Sequence, residues 1–216
     1  MDEYTKQIFD GLLLGDGCLH KANSSVIYYE QGSSFREFVY HVRERLSLLG
    51  FIFYPNIREQ YQENRGGCVG YHISTRTHNS FDEERKQFFV EQRKRWYPEG
   101  KKIVPKDIIL SPLVCLYWYL GDGGLHYCHN KYKGIRLCTN GFTPYDREHI
   151  RDLLSQLGFR SYVEKKGVVG LSPIPSREFL KYIGKNPVMC YDYKWCIDNR
   201  SSYNILISKS NQQRSA

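Results

Sequence analysis

The 216-residue sequence predicts an α+β fold made of two copies of one αββαββα unit, each with a four-stranded antiparallel sheet covered by helices on one face. Two repeats predict it. The phrase Leu-Gly-Asp-Gly-x-Leu-His occurs at residues 14–20 and again at 120–126. A second similar block, which ends in Leu-Gly-Phe, occurs at 42–51 and 150–159. Because both blocks recur in the same order and at nearly the same spacing, the duplication covers the fold and not one motif.

The spacing of apolar residues predicts the helices and strands of the first half. An apolar run at 8–14, broken only by Asp10 and Gly11, predicts a buried helix that residues 1–7 lead into. Strand formers at 26–29 predict a hairpin over 20–31 that turns at 22–25. The remaining elements are a helix at 35–49 ended by Gly50, strands at 51–61 and 69–77 joined by a turn at 62–67, and a helix at 81–96.

The second half begins after a segment rich in Pro, Gly and Lys, at 97–105, which marks a boundary. We therefore expect a first half at 1–97, a linker at 98–110 and a second half at 111–216. The expected elements are a helix at 113–120, a hairpin at 125–140 turning near 130–134, the helix of the repeated block, a hairpin at 160–171 turning at 165–167, a short helix at 179–183, a loop at 185–199 and a frayed tail from 208.

Composition restricts the partners. The net charge of +8, together with 18 tyrosines, favours a polyanion partner, with DNA or RNA as the first expectation. No apolar run is long enough to cross a membrane, and the N-terminal residues have no signal-peptide pattern, so no membrane partner is expected. Seven cysteines without a Cys-x-x-Cys pair argue against zinc and disulfides and predict reduced thiols in an intracellular compartment.

The repeated aspartates indicate a metal site. Asp16 and Asp122 each follow an apolar helix, so each lies at a helix C-terminus, where the macrodipole is unfavourable for a carboxylate unless a cation joins it. The two aspartates could meet if the two helices pack side by side. Paired carboxylates suit hard, oxygen-preferring ions such as Mg²⁺. Alternatively, each Asp-Gly is a plain helix-ending turn, but its recurrence inside a duplicated basic chain favours a site.

The two copies resemble the motif of the LAGLIDADG homing endonucleases, in particular the single-chain, intron-encoded branch. Copy one is Phe9–Gly17 and copy two is Cys115–Gly123. The departure is Tyr117, where the motif often has a small residue. The resemblance implies that the motif helices form the interface between the halves. It also implies that the open faces of the two sheets form a DNA-binding saddle.

The resemblance also implies a set of site residues. Asp16 and Asp122 would bind Mg²⁺ near the two scissile phosphates, with the backbone carbonyls of Gly15 and Gly121 as further ligands. One lysine per half would place a cation near the scissile group. Lys102 lies in a Lys-Lys-x-x-Pro segment before the second motif, and Lys194 lies in a Tyr-Lys pair after the last helix, although Lys185 is near. The products would be double-strand breaks with short 3′ overhangs.

The strands supply donors that could contact bases or phosphates. Ordinary solvated strand faces would have the same composition, so each residue is a candidate only. The candidates are His20, Lys21, Tyr28, Gln31, Arg58, Gln60, Gln62, Arg65, His72, Ser74, Arg76 and His78 in the first half, and His126, Tyr127, Lys131, Lys133, Arg136, Thr139, Asn140, Arg160, Tyr162, Lys165 and Lys166 in the second.

The sequence therefore predicts a monomeric, Mg²⁺-dependent endonuclease specific for a long double-stranded DNA target. The alternative is an intron RNA maturase or a non-cleaving DNA-binding regulator on the same fold, with host intron RNA as the partner of the maturase. An intein is a third interpretation, which the absence of the terminal splicing residues disfavours. The expected location is an organelle or a bacterial or phage cytoplasm.

Overall fold

The computed structural model describes residues 1–22, 26–62 and 67–197. The first half contains α1 (Glu3–Leu14), β1 (Gly17–Ala22), β2 (Val26–Ser33), α2 (Arg36–Leu48), β3 (Arg58–Gln62), β4 (Gly67–Ser74) and α3 (Glu83–Trp96). The second contains α4 (Pro112–Asp122), β5 (Gly123–Cys128), β6 (Lys131–Leu137), α5 (Pro144–Gln156), β7 (Ser161–Val163), β8 (Val169–Leu171) and α6 (Pro173–Ile183). Short 3₁₀ helices cover His78–Ser80 and Met189–Trp195.

The two sheets have the same topology. The strand orders are β1-β2-β4-β3 and β5-β6-β8-β7, and all pairings are antiparallel. Gly17 pairs with Gln31 in the first sheet, and Gly123 pairs with Leu137 in the second. The predicted α+β fold with two antiparallel four-stranded sheets and helices is confirmed.

The motif helices α1 and α4 pack against each other nearly backbone to backbone. A Cβ atom on Gly11 would lie 2.5 Å from the carbonyl oxygen of Val114 and 2.8 Å from Cβ of Tyr117. Near the helix ends, a Cβ atom on Gly15 would lie 3.4 Å from Cα of Gly121. Glycine therefore permits an approach that no larger residue could make at position 11. The predicted interface between the motif helices is present.

Tyr117, the departure from the motif, does not hold the helices apart. Its Cβ is the atom that lies against Gly11, and its hydroxyl lies 3.3 Å from Nε2 of His41 on α2. Burial, with a smaller effect of Arg45, lowers the pKa of His41 to about 4, so the ring is neutral and can accept this hydrogen bond. A large residue is tolerated because only its Cβ lies in the tight part of the contact.

Asp10, the charged residue within the apolar run of α1, is stabilised by buried hydrogen bonds. The buried carboxylate of Asp10 accepts hydrogen bonds from Arg95 and, at 3.0 Å, from Nε1 of Trp96. Arg95 also pairs with Asp107 at 2.8 Å. Buried carboxylates are stable only when paired in this way. The network therefore fastens the segment after α3 to the first motif helix.

The segment predicted as a linker is packed into the protein. Val104, Ile108 and Leu110 are buried in a core that continues from α1 and its sheet to α4 and the second sheet. The backbone N–H of Val104 donates to Asp146 at the start of α5. The division at 98–110 stays a prediction, but three apolar side chains of the segment belong to the core.

Several elements differ from the predictions in their bounds or their type. The last helix, α6, begins at Pro173 and not at 179, because proline fits the first helical turn and the pattern at 173–178 is too polar to reveal it. The expected loop at 185–199 contains a 3₁₀ helix at Met189–Trp195. β3 begins at Arg58 and not at 51, since the chain before it joins the sheet only through a Phe53–Thr75 bridge. The turn before β6 is at His129–Asn130, whose positive φ angles Asn and His tolerate better than most residues.

Candidate active site and nucleic-acid interface

Asp16 and Asp122 lie together where α1 and α4 end. Asp16 follows Gly15, which is the C-cap residue of α1, and Asp122 is the final residue of α4. A Cβ atom on Gly121 would lie 3.3 Å from the backbone nitrogen of Asp16. The sharp exits from both helices into β1 and β5 bring the two aspartates, which are 106 positions apart in the sequence, to one place.

The environment of these carboxylates is unfavourable for negative charge. Burial and, as a smaller cause, the neighbouring Asp16 carboxylate together raise the pKa of Asp122 to about 7, although Lys102 and Lys194 oppose the shift. Burial also raises the pKa of Asp16 against the same two lysines. Within residues 1–22, 26–62 and 67–197, no group donates a hydrogen bond to either carboxylate. Two crowded carboxylates without donors form a place that a cation would stabilise.

One lysine caps the C-terminal end of each motif helix. Nζ of Lys102 donates to the carbonyls of Gly15 at 3.1 Å and Gly17 at 2.8 Å. Nζ of Lys194 donates to the carbonyls of Leu120 at 2.6 Å and Tyr119 at 3.2 Å and lies 3.5 Å from that of Gly121. A cation is favoured here because carbonyls at a helix end carry partial negative charge.

The two lysines differ in exposure, since Lys102 is half-buried and Lys194 is almost fully covered. Lys194 is buried, and burial lowers its pKa to about 8, although Asp16 and Asp122 act in the opposite direction. Burial lowers the pKa of Lys102 in the same way. Lys185, the competing candidate in the sequence, is exposed and makes none of these contacts. The structure therefore brings together all four side chains predicted to be catalytic, Asp16, Asp122, Lys102 and Lys194, and leaves their chemical roles as predictions.

The donor set fits a hard divalent cation. The oxygens available are the two carboxylates and the carbonyls of Gly15 and Gly121, which share their lone pairs with the lysines. In the described part of the chain, no three His, Cys, Asp or Glu side chains cluster as zinc ligands would. Oxygen-only coordination that leaves room for water and substrate is typical of Mg²⁺.

The open face of the first sheet is continuous with this site. A cleft of about 310 Å³ runs from Asp16 to Glu30, Gln60 and His72. Most of the predicted DNA-contact residues lie exposed or half-buried on the strands and turns. These are His20, Lys21, Tyr28, Arg58, Gln60, His72, Ser74 and Arg76, and in the second half His126, Tyr127, Lys131, Lys133, Arg136, Asn140, Arg160, Tyr162, Lys165 and Lys166.

Three of the predicted contact residues are not on the open face, so their placement there was wrong. The side chain of Gln31 is buried on the helix side of β2. Its Oε1 accepts a hydrogen bond from the hydroxyl of Tyr29, and its Nε2 donates to the carbonyl of Gly32. His78 lies in a 3₁₀ helix and accepts from the backbone N–H of Ile27 at 3.2 Å. Thr139 lies beyond β6 and donates to the carbonyl of Gly167 at 2.7 Å. Arg65 lies outside the described residues, as does the side chain of Gln62.

Sequence reasoning missed two acidic residues on the open face. Glu30 pairs with Arg58, and Glu164 accepts from Nε of Arg136 at 2.8 Å. Alternation along β2 was the available signal, since Tyr28 and Glu30 have to share a face.

No helix in the described ranges is both long and apolar enough to cross a membrane.

Comparison with known proteins identifies a family and two curated relatives. Residues 6–181 match the model of the LAGLIDADG DNA endonuclease family. The uncharacterized protein MJ1098 of Methanocaldococcus jannaschii is 30% identical over 167 residues, covering 77% of this chain and 61% of that protein. The cytochrome b mRNA maturase bI2 of Debaryomyces hansenii is 27% identical over 178 residues, covering 78% and 63%. The chain thus spans less than two thirds of the length of these curated relatives.

Solved structures show the same fold. The homing endonuclease I-WcaI bound to its DNA recognition sequence superimposes with a TM-score of 0.68 at 17% identity, covering 92% of this chain and 88% of that one. The N-terminal LAGLIDADG domain of DUF199/WhiA superimposes with a TM-score of 0.55 at 9% identity, covering 95% and 89%.

Proposed function

The chain belongs to the LAGLIDADG DNA endonuclease family, and on this basis we propose that it is a site-specific homing endonuclease that hydrolyses one phosphodiester in each strand of a long DNA target. The observation that carries the proposal is the joining of Asp16 and Asp122 at the ends of α1 and α4, with one lysine bonded to the carbonyls at each end. Binding alone would not need, at the point where a duplex would lie, two crowded carboxylates that receive no hydrogen bond from the described residues.

The two-fold repetition suits a duplex. Two similar halves in one chain present equivalent groups to two antiparallel strands, so a monomer would serve both scissile phosphates. I-WcaI, whose fold this chain shares, was solved with its DNA recognition sequence, and this supports a double-stranded DNA partner. Reduced thiols would fit an intracellular location, in an organelle or a bacterial or phage cytoplasm.

The protein's own groups would prepare the reaction. Asp16 and Asp122, with the carbonyls of Gly15 and Gly121, would hold Mg²⁺. The bound ion would supply Lewis-acid polarisation of the phosphate and a more acidic water. Lys102 and Lys194 hold positive charge at fixed positions beside the carboxylates, where it would stabilise the additional negative charge of the transition state. The exposed basic strand residues would position the duplex by neutralising phosphates.

Selection of cleavage sites tests the proposal. The chain is incubated with a randomised double-stranded library and Mg²⁺, and the ends of cut molecules are sequenced. We expect one defined target, breaks with short 3′ overhangs, and loss of cutting with EDTA. Sequence-specific binding without cutting in Mg²⁺ or Mn²⁺ would overturn the nuclease and favour a regulator.

A maturase is the second candidate, favoured by the similarity to the cytochrome b mRNA maturase bI2. A maturase would bind intron RNA and promote splicing. Filter binding to intron RNA, beside the same assay with duplex DNA, separates the two. Tight RNA binding with no DNA cleavage would support the maturase alone.

Each of the two lysines should assist the cleavage of one DNA strand. Changing Lys102 or Lys194 to Met removes one fixed cation, which we expect to slow cleavage by about 10²- to 10³-fold, as for other transition-state donors. Because each lysine caps one motif helix, a single change should slow cleavage of one DNA strand more than cleavage of the other, and nicked plasmid should accumulate.

The rate of cleavage by the native chain should depend on pH. It should decline as the pH rises through about 8, where Lys194 loses its proton, and plasmid cleavage measured across this range checks the expectation.

Exposed neighbours provide the controls. Lys101→Met and Lys185→Met remove the same charge at exposed positions close in sequence to Lys102 and Lys194. These variants should cut both strands like the native chain. Equal slowing in all four variants would show that the lysines contribute only to the general attraction of DNA.

A further inference from the structure

The strand registers allow the two open faces to be compared position by position. Gly17 and Gly123 both directly follow a motif aspartate, and they pair with Gln31 and Leu137. One position earlier on the partner strands, Glu30 of β2 is therefore equivalent to Arg136 of β6. The comparison extends to the next strand, where Glu30 pairs with Ser74 and Arg136 pairs with Gly170.

The two sheets can be compared in the same way at their edge strand β3 and at the residues that follow edge strand β7. Two positions before Ser74, His72 pairs with Arg58. Two positions before Gly170, the carbonyl of Val168 accepts from the backbone N–H of Glu164 at 2.8 Å. Arg58 and Glu164 are therefore equivalent positions as well.

Both halves have an ion pair across these two positions, with the charges exchanged. Glu30 pairs with Arg58 in the first half, and Arg136 pairs with Glu164 in the second. In each pair the glutamate is the less exposed side chain, with 19% of its surface exposed in Glu30 and 20% in Glu164. The arginine is the more exposed side chain, with 63% in Arg58 and 41% in Arg136. The exposed groups that could contact a base edge are therefore the two arginines.

The carboxylate of Glu30 is already occupied. Its Oε2 accepts from Arg58 and, at 3.1 Å, from the hydroxyl of Ser74. Its Oε1 lies 3.4 Å from Nδ1 of His72 and 3.9 Å from Nε2 of His20. A carboxylate with these neighbours fixes the guanidinium in place and is poorly available to accept from cytosine. Its position in the cleft that contains Asp16 puts the pair on the face used for DNA.

Resting on the proposed endonuclease function, we propose that Arg58 and Arg136 are specificity-determining residues that read guanine at non-equivalent positions of the two half-sites, with Glu30 and Glu164 as their positioning residues. Arginine binds O6 and N7 of guanine with two hydrogen bonds in the major groove. The arginine lies on the second strand of one sheet and on the edge strand of the other. Two strand spacings are roughly 10 Å. This corresponds to at most about three base-pair steps, so the target is not palindromic there.

Binding selection without cleavage tests the assignment. A randomised duplex library is selected in EDTA with the native chain, with Arg58→Gln and with Arg136→Gln. We expect each variant to lose discrimination for guanine by about 5- to 150-fold at one position, in opposite half-sites and at different distances from the centre. The double exchange Glu30→Arg with Arg58→Glu should move the guanine of the first half-site to the position equivalent to that read by Arg136.

The positioning role has its own readout. Glu30→Gln keeps Arg58 but removes its charged partner, so discrimination at that guanine should fall while affinity for random DNA does not. As a matched control, exchange of the exposed pair Glu178 and Lys181 on α6 should change no base preference. Thermal unfolding confirms that each variant is folded, and the single Gln variants decide the outcome if the exchange variant is not.

Two results would overturn the assignment. If the native chain selects a defined sequence and both arginine variants keep every preference, or lose the same position, the inference fails while the endonuclease proposal stands. If the native chain selects no sequence at all, both fail.

Discussion

Asp16→Asn and Asp122→Asn are each expected to abolish double-strand cleavage, with a loss of at least about 10³-fold, equivalent to about 4 kcal/mol of transition-state stabilisation. The amide keeps the size of the side chain and removes the charge that would hold Mg²⁺. DNA affinity should persist or rise, because a negative charge is removed beside the phosphates. Plasmid cleavage in Mg²⁺ and duplex binding in EDTA measure the two effects separately.

Stability provides an independent check on the same variants. The pKa of Asp122 is raised to about 7 from an ordinary value of 3.8, so between these values the folded state binds more protons than the unfolded state. Stability of the metal-free protein therefore falls as the pH rises through this window. Above pH 7, Asp122→Asn should raise the free energy of unfolding by about 1–2 kcal/mol, after a discount for solvent screening.

The exposed Asp152 on α5 offers a control, since Asp152→Asn removes the same charge far from the motif helices. It should leave cleavage unchanged. Full cutting by the double variant Asp16→Asn with Asp122→Asn would remove the basis for the metal site and for the proposed nuclease.

The sequence predicted this centre because its signals are local and repeated. Asp16 and Asp122 could be paired from the sequence since both end the same phrase, and a duplicated fold places equivalent positions symmetrically. Lys194 was harder to assign, because its Tyr-Lys pattern is short and Lys185 lies near it in the sequence. Only the folded 3₁₀ segment shows which of them reaches the carbonyls at the end of α4.

The face of a strand was harder to predict than its presence. Gln31, His78 and Thr139 are polar and lie in or near strands, yet each is buried and satisfies a backbone group or another buried side chain. Composition does not distinguish a donor that serves the fold from one that faces solvent. The pairing of Glu30 with Arg58 depends on register across three strands, which no local pattern contains.

Gly11→Ala should destabilise the protein strongly, because it forces the two motif helices apart. In a helix interior this substitution normally stabilises by up to about 1 kcal/mol. Here the added Cβ would lie 2.5 Å from the backbone oxygen of Val114, and neither backbone can move without separating α1 from α4. We expect a net loss of about 3 kcal/mol, because overpacking against backbone outweighs the propensity gain. The melting temperature should fall by about 6–12 °C.

Cleavage should fall with stability in this variant, since the same movement separates Asp16 from Asp122. Gly141→Ala is the matched control, because no atom lies within 4 Å of its added Cβ and the loop can accept it. Thermal unfolding and plasmid cleavage of the two variants, below the melting temperature of each, measure both effects. A Gly11→Ala protein that melts with the native chain and cuts as fast would mean that the motif helices are not packed backbone to backbone, and the geometry on which the catalytic pairing depends would be wrong.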